Sequence, residues 1–218
     1  MNSSDHLRHY ANLIESMIPV HPHHLPAITI CRPVYKALVI YSRLLALESS
    51  GDPDEGIRDS IQLFDDSIWS SLVIRVAGEL FHEPVWVEKS ARAFEKLVSN
   101  QQPNGAFLPP DARTNPETRW YNEMVLLHAA ASYAVRVRDE SIQSAVARSA
   151  EFHLNEIQPD HATAEPWGLL AFMQHAPPLA DQVLHSLCMQ YPQGVSGVPL
   201  LLMMEVRYGL RRIATGKK

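Results

Sequence analysis

Apolar residues recur along this chain with a spacing near 3.6, and no run alternates in the manner of a half-buried strand. The first periodic segment covers roughly 4–18, where Leu7, Tyr10, Ile14, Met17 and Ile18 fall on one face behind a capping Ser3 or Ser4. The stretch "PVHPHHLPAITICRP" follows with four prolines. Proline lacks an amide donor and disfavours helix in the residue before it, so this reads as an extended connection. Pro33 suits a first helical position, and the pattern runs from it to about Leu47. After the turn "SSGDPDEG", one long helix, or two with a break near Asp65–Asp66, extends to about Phe81. Pro84 opens a further helix that ends near Asn100.

A polar loop of roughly fifteen residues comes next, longer than most connections inside a compact domain. Helical periodicity resumes near Glu117 and lasts to about Val137. Asp139 caps a segment to about Ile157. A short helix is expected from Pro166 or Trp167, another from Pro177 to about Gln190, and a last one to about Ile213. The pattern predicts an all-α fold of about nine or ten helices arranged as hairpins. It shows no internal boundary, so 1–218 is expected to be a single domain: N-terminal helices and a Pro-rich loop over 1–83, helical hairpins over 84–213, and a tail over 214–218.

The connections repeat. Placing Gln102 on Gln158 brings Pro103 onto Pro159, Asn104 onto Asp160, Val98 onto Leu154 and Glu95 onto Glu151. Downstream, Trp120 and Trp167 are each expected in the first turn of the next helix. A weaker third copy is "MQYPQGVSG", with Gln190 and Gly194. A helix pair recurring at a fixed period indicates an array in which each hairpin buries its apolar face against its neighbours.

"LVSNQQPNGAF" resembles the Gln-Trp repeat of the terpenoid cyclase and prenyltransferase superfamily. Val98, Gln102, Gly105 and Phe107 fit that repeat, with Leu97 replacing its aromatic residue and Phe107 its tryptophan. The second copy departs further, since His161 stands where a glycine is expected. The resemblance covers Pro84 to the C-terminus. It implies an α/α-toroid, in which outer and inner helices alternate about an axis, with the glutamine capping helix ends and the aromatic packed beneath. Many glycoside hydrolases and polysaccharide lyases share that layout. A complete ring of six hairpins needs more chain than this, so the resemblance implies a partial or small toroid, or one completed by a second copy in a homo-oligomer. An ordinary irregular helical bundle is the alternative.

Chemistry is sparser. The superfamily's aspartate motifs are incomplete: Asp65 and Asp66 are adjacent, but Trp69 and Leu63 stand where further aspartates belong. A helix start or break explains the pair, and a working terpene cyclase is discounted. The segment "TRWYNEM" puts Arg119, Trp120, Tyr121, Asn122 and Glu123 at a helix start, where free amide donors and aromatics suit a sugar or another small polar ligand. His128 shares a face with Tyr121, Val125 and Ser132 and has the proton-transfer range of histidine. The second corner adds Asp160, His161, Thr163, Glu165 and Trp167. Glu123 or His128 with Asp160 or Glu165 could form an acid–base set of the glycosidase kind. The competing interpretation makes Trp120, Tyr121 and His128 core residues, Glu123 a solvated carboxylate, and Asp160, Thr163 and Glu165 helix-start residues, and it is favoured here.

Composition narrows the partners. The net charge is −5 with no basic stripe, which argues against nucleic acid. "VPLLLMMEV" is interrupted by Glu205 and too short to span a bilayer. The N-terminus lacks the pattern of a signal peptide, and Cys31 and Cys188 make no spacing motif, so a cytoplasmic protein with free thiols is expected. His21, His23 and His24 cluster without the helical spacing or cysteine pair of a zinc site, and no phosphate loop or nucleophile elbow is present. No metal and no cofactor is expected. The leading expectation is a non-catalytic, ligand-binding helical-repeat protein, with a carbohydrate-active enzyme as the alternative.

Overall fold

The computed structural model describes residues 3–18, 33–50, 55–61, 65–110, 114–156 and 165–215. Among them are ten helices and no strand. They are α1 (Ser3–Met17), α2 (Pro33–Ser50), α3 (Glu55–Ile61), α4 (Ile68–Leu80), α5 (Pro84–Ser99), α6 (Pro116–Val137), α7 (Glu140–Asn155), α8 (Leu169–His175), α9 (Pro177–Gln190) and α10 (Gly197–Thr215). The all-α expectation holds. The helices fall into two compact units, Met1–Ala27 with Asn100–Lys218, and Ile28–Ser99.

In the unit of α2–α5, α4 packs against α2, α3 and α5. The break expected near Asp65–Asp66 is a helix start. The Ser67 hydroxyl caps α4 by accepting from the Ser70 amide at 3.2 Å, and the Asp65 carboxylate accepts from the Ser67 amide and the Ser70 hydroxyl. Those hydroxyls hold the Asp65 carboxyl below its usual range. Asp66 pairs with Lys89 at 2.9 Å. This pair of aspartates is therefore spent on starting a helix and on a surface ion pair, which contributes little to stability.

The other unit is built around α8. Its sequence, "LLAFMQH", is apolar over five consecutive residues, and Leu169 to Met173 are all buried. A helix with no polar face must be covered on every side. Here α1, α6, α7, α9 and α10 all pack on it. The apolar face expected for α1 is confirmed, with Tyr10, Ile14 and Met17 buried. α6 is buried nearly continuously from Leu127 to Ala134, where alanines let its neighbours approach closely.

Helix boundaries lie close to those expected, with one correction. Trp167 does not sit in the first turn of a helix. Gly168 takes a left-handed conformation, φ 73°, so α8 begins only at Leu169. A β-carbon at Gly168 would come within 2.6 Å of the Met124 side chain on α6. The position therefore needs glycine both for its backbone angle and for its close approach.

Candidate functional site

The corner "QQPNGAF" forms a tight knot. The Gly105 amide donates to the Gln102 carbonyl at 2.9 Å, the Gln102 amide to the Ala106 carbonyl at 2.8 Å, and Asn104 accepts from the Ala106 amide at 3.2 Å. Proline at the second position and glycine at the fourth suit such a turn. Gly105 has φ 97°, and a β-carbon there would stand 2.4 Å from the Arg148 carbonyl oxygen on α7. "YPQG" repeats this turn: the Gly194 amide donates to the Tyr191 carbonyl at 3.0 Å, with φ 101°. The first and third corners thus share one turn, through Pro103 with Pro192 and Gly105 with Gly194, while the second, at 158–163, lies outside the described residues. Both corners dock on a helix of the same unit. The Gln101 carboxamide donates to the Ala145 carbonyl of α7 at 2.8 Å and accepts from Arg148, while the Val195 amide donates to the Met17 carbonyl at the end of α1. Gln102, the residue that matches the repeat, donates only locally, to the Asn100 carbonyl at 3.0 Å.

α6 receives the chain as it leaves the first corner. Asn115 caps this helix by accepting from the Glu117 amide at 2.8 Å, and Pro116 starts it. Glu123, expected as a solvated carboxylate, is instead buried, 2% exposed, because it lies within reach of the loop's free amides. Its two carboxylate oxygens accept the Phe107 amide at 2.9 Å and the Leu108 amide at 2.7 Å. Burial raises the Glu123 pKa above the usual glutamate value, opposed by these two amides and by the Arg119 charge.

His128 lies further along α6 and does the same for the segment that enters α8. Its Nδ1 accepts the Gly168 amide at 3.1 Å. An amide can only donate, so Nδ1 carries the lone pair and Nε2 the proton of a neutral ring. Nε2 faces Glu205 Oε2 at 2.5 Å, and the Ser132 hydroxyl bonds the other Glu205 oxygen. The carboxylate thus bridges histidine and serine. In a nucleophilic triad the histidine bridges the other two. All three residues are buried. The Trp167 indole packs edge-on against His128 at 5.6 Å and against Tyr121 at 6.0 Å, and its Nε1 donates to Glu165 at 2.6 Å.

The structure therefore joins Glu123 to the first corner, and His128, Tyr121, Glu165 and Trp167 into one aromatic and polar cluster. Asn122 is exposed. Trp120 packs against His153 of α7 with ring centroids 6.2 Å apart. Asp160, His161 and Thr163 lie outside the described residues, as do Cys31 and His21, His23 and His24. Glu205 and Ser132 were not expected as partners of His128. The signal for Glu205 was the lone acid inside "VPLLLMMEV".

Two surface cavities of this unit are lined by other residues. One, of about 320 Å³, lies where α6, α7, α8 and α10 meet. Arg138, Arg212, Gln143, Gln174 and His175 supply its polar groups, over alanine, valine and isoleucine side chains. Arg138 ends α6 in a left-handed conformation, φ 58°, and Arg212 donates to the Tyr208 hydroxyl at 2.9 Å. The other cavity, of about 360 Å³, lies between the first corner and α7, beside Arg148, Glu151 and Glu156. Among the described residues no group of three histidines, cysteines or carboxylates is placed to hold a metal ion, and no helix is long and apolar enough to cross a membrane. No family model, curated protein or solved structure matches the chain.

Proposed function

We propose that this is a non-catalytic helical binding protein whose ligand is a small organic or inorganic acid, held in the cavity where α6, α7, α8 and α10 meet. One observation carries the reading: the cavity presents two guanidinium groups and two carboxamides, and none of the described residues that line it is a carboxylate, in a chain of net charge −5. The two arginines stand near the ends of α6 and α10, whose carbonyls carry about half a negative charge each. Two guanidinium groups in one cavity favour an anion. Guanidinium groups suit carboxylate and phosphate oxygens, and the apolar floor suits a short carbon skeleton.

The engagement of Glu123 and His128 also supports a non-catalytic role. Both Glu123 oxygens hold backbone amides, and both His128 nitrogens are bonded inside the core. A general acid or base needs a free proton-transfer path to its substrate.

Titration calorimetry with succinate, citrate and inorganic phosphate tests the proposal, with glucose as a neutral control. Binding of an acid is expected to weaken at least tenfold in both Arg138→Gln and Arg212→Gln, and to weaken as salt rises. Acid binding unchanged by both substitutions, or glucose binding alone, would refute it. The glucose result would favour the carbohydrate reading.

A further inference from the structure

His153 is the least satisfied buried side chain of the α6–α8 region. It is 1% exposed on α7, and its ring packs against Trp120 at 6.2 Å, Phe152 at 5.1 Å and Phe172 at 6.3 Å between centroids. Both ring nitrogens are buried and have no hydrogen-bond partner among the described residues. The same holds for Nε1 of Trp120, the ring that His153 touches. It also holds for the hydroxyl of Ser149, fully buried one turn earlier on α7 and on the same face.

Buried polar atoms in folded proteins are almost always paired, and each one left unpaired costs about 1–3 kcal/mol. Three such residues gathered around one ring call for a common partner. Their chemistry specifies it. An indole N–H can only donate, so the partner must accept. A neutral imidazole carries its proton on one nitrogen and a lone pair on the other, and a partner at the lone-pair nitrogen must donate. A metal ion cannot accept the indole proton. A fully ionised anion cannot donate to the imidazole and would carry its charge into an aromatic enclosure at high cost. A hydroxyl does both, and it is small.

We infer that His153, Trp120 and Ser149 frame an internal binding site for a single hydroxyl group, supplied by water or by a small alcohol. It is separate from the arginine-lined cavity and does not depend on it.

The test starts from the wild-type protein in alcohol-free buffer. A cross-relaxation signal between the Trp120 indole N–H and long-lived water is expected, with the His153 ring nitrogens at hydrogen-bonded ¹⁵N shifts. Water magnetic relaxation dispersion should lose the contribution of a single internal water in His153→Phe. Should His153→Phe not fold, Trp120→Phe serves, since it removes the indole donor while keeping an aromatic ring and should weaken the same signal. Methanol and ethylene glycol form the second arm: saturable shifts of the His153 and Trp120 resonances would assign the site to an organic hydroxyl. Wild-type His153 nitrogens at free-imidazole shifts, with no water signal and no response to either alcohol, would overturn the inference.

Discussion

Replacing Glu123 by alanine tests the connection between α6 and the first corner. The carboxylate holds two loop amides, Phe107 at 2.9 Å and Leu108 at 2.7 Å. The Phe107 bond is buried and the Leu108 bond part-buried. Stranding a buried donor costs about 1–3 kcal/mol. Leu108, which can reach water, should lose about half as much, on the order of 1 kcal/mol. Relief of the buried charge offsets part of this. Glu123→Ala is therefore expected to lose about 2–3 kcal/mol in urea unfolding followed by circular dichroism. Glu123→Gln keeps one acceptor and should lose about half of that. Exchange at the Phe107 and Leu108 amides should rise in step, while the α7 amides near Ala145 stay protected by the hydrogen bonds of their own helix. A loss below about 0.5 kcal/mol, the range of ordinary surface substitutions, with both loop amides still protected, would refute the reasoning.

Four further outcomes are expected. Gly105→Ala should cost about 2 kcal/mol or more, because φ is 97° and the added carbon would meet a backbone oxygen at 2.4 Å; urea unfolding measures it. His128→Leu and Glu205→Leu should each destabilise by about 3 kcal/mol, and the double variant by much less than the sum, because each single change strands a buried partner; a double-mutant cycle checks this. Burial holds the His153 pKa down from 6.5 to about 4. Its contribution is complete above pH 6.5 and is lost as pH falls toward 4, by at most about 3 kcal/mol, so the pH profile of His153→Phe should flatten in that window. Glu123 acts in the opposite sense: its raised pKa means that wild-type stability falls as pH rises out of the usual glutamate range, a dependence that Glu123→Gln should lack.

The helices were legible because their signals are local. Asp139 accepts the Ser141 and Ile142 amides as a cap should, and Pro33, Pro84, Pro116 and Pro177 each open a helix. The start of α8 was misplaced because Gly168 breaks the backbone after Trp167 in a left-handed turn, and the close approach that leaves no room for a β-carbon there comes from Met124 on another helix. A turn shared by two of the corners was partly legible. Aligning glutamines found the first corner, but the shared turn is carried by proline and glycine, "QPNG" and "YPQG", because backbone angles and not side chains define it. The polar core was the least legible. Glu123 and His128 stood out by type, yet their partners lie on a loop, at the entry to α8 and on α10. Only Glu205, an acid within an apolar run, announced that a buried partner must exist. The arginine-lined cavity gave no local signal, since Arg138 and Arg212 are seventy-four residues apart and each reads as a helix-end cation.

Hydrogen exchange of the wild-type protein tests the central claim, that buried side chains of α6 hold the two chain segments leading into the core. The amides of Phe107, Leu108 and Gly168 lie outside the helices, where backbone amides ordinarily exchange fast. Side-chain acceptors on α6 should protect all three nearly as well as the helix interior of α6. Exchange at these amides at the rate of the exposed residues Asn104 and Asn115 would contradict it.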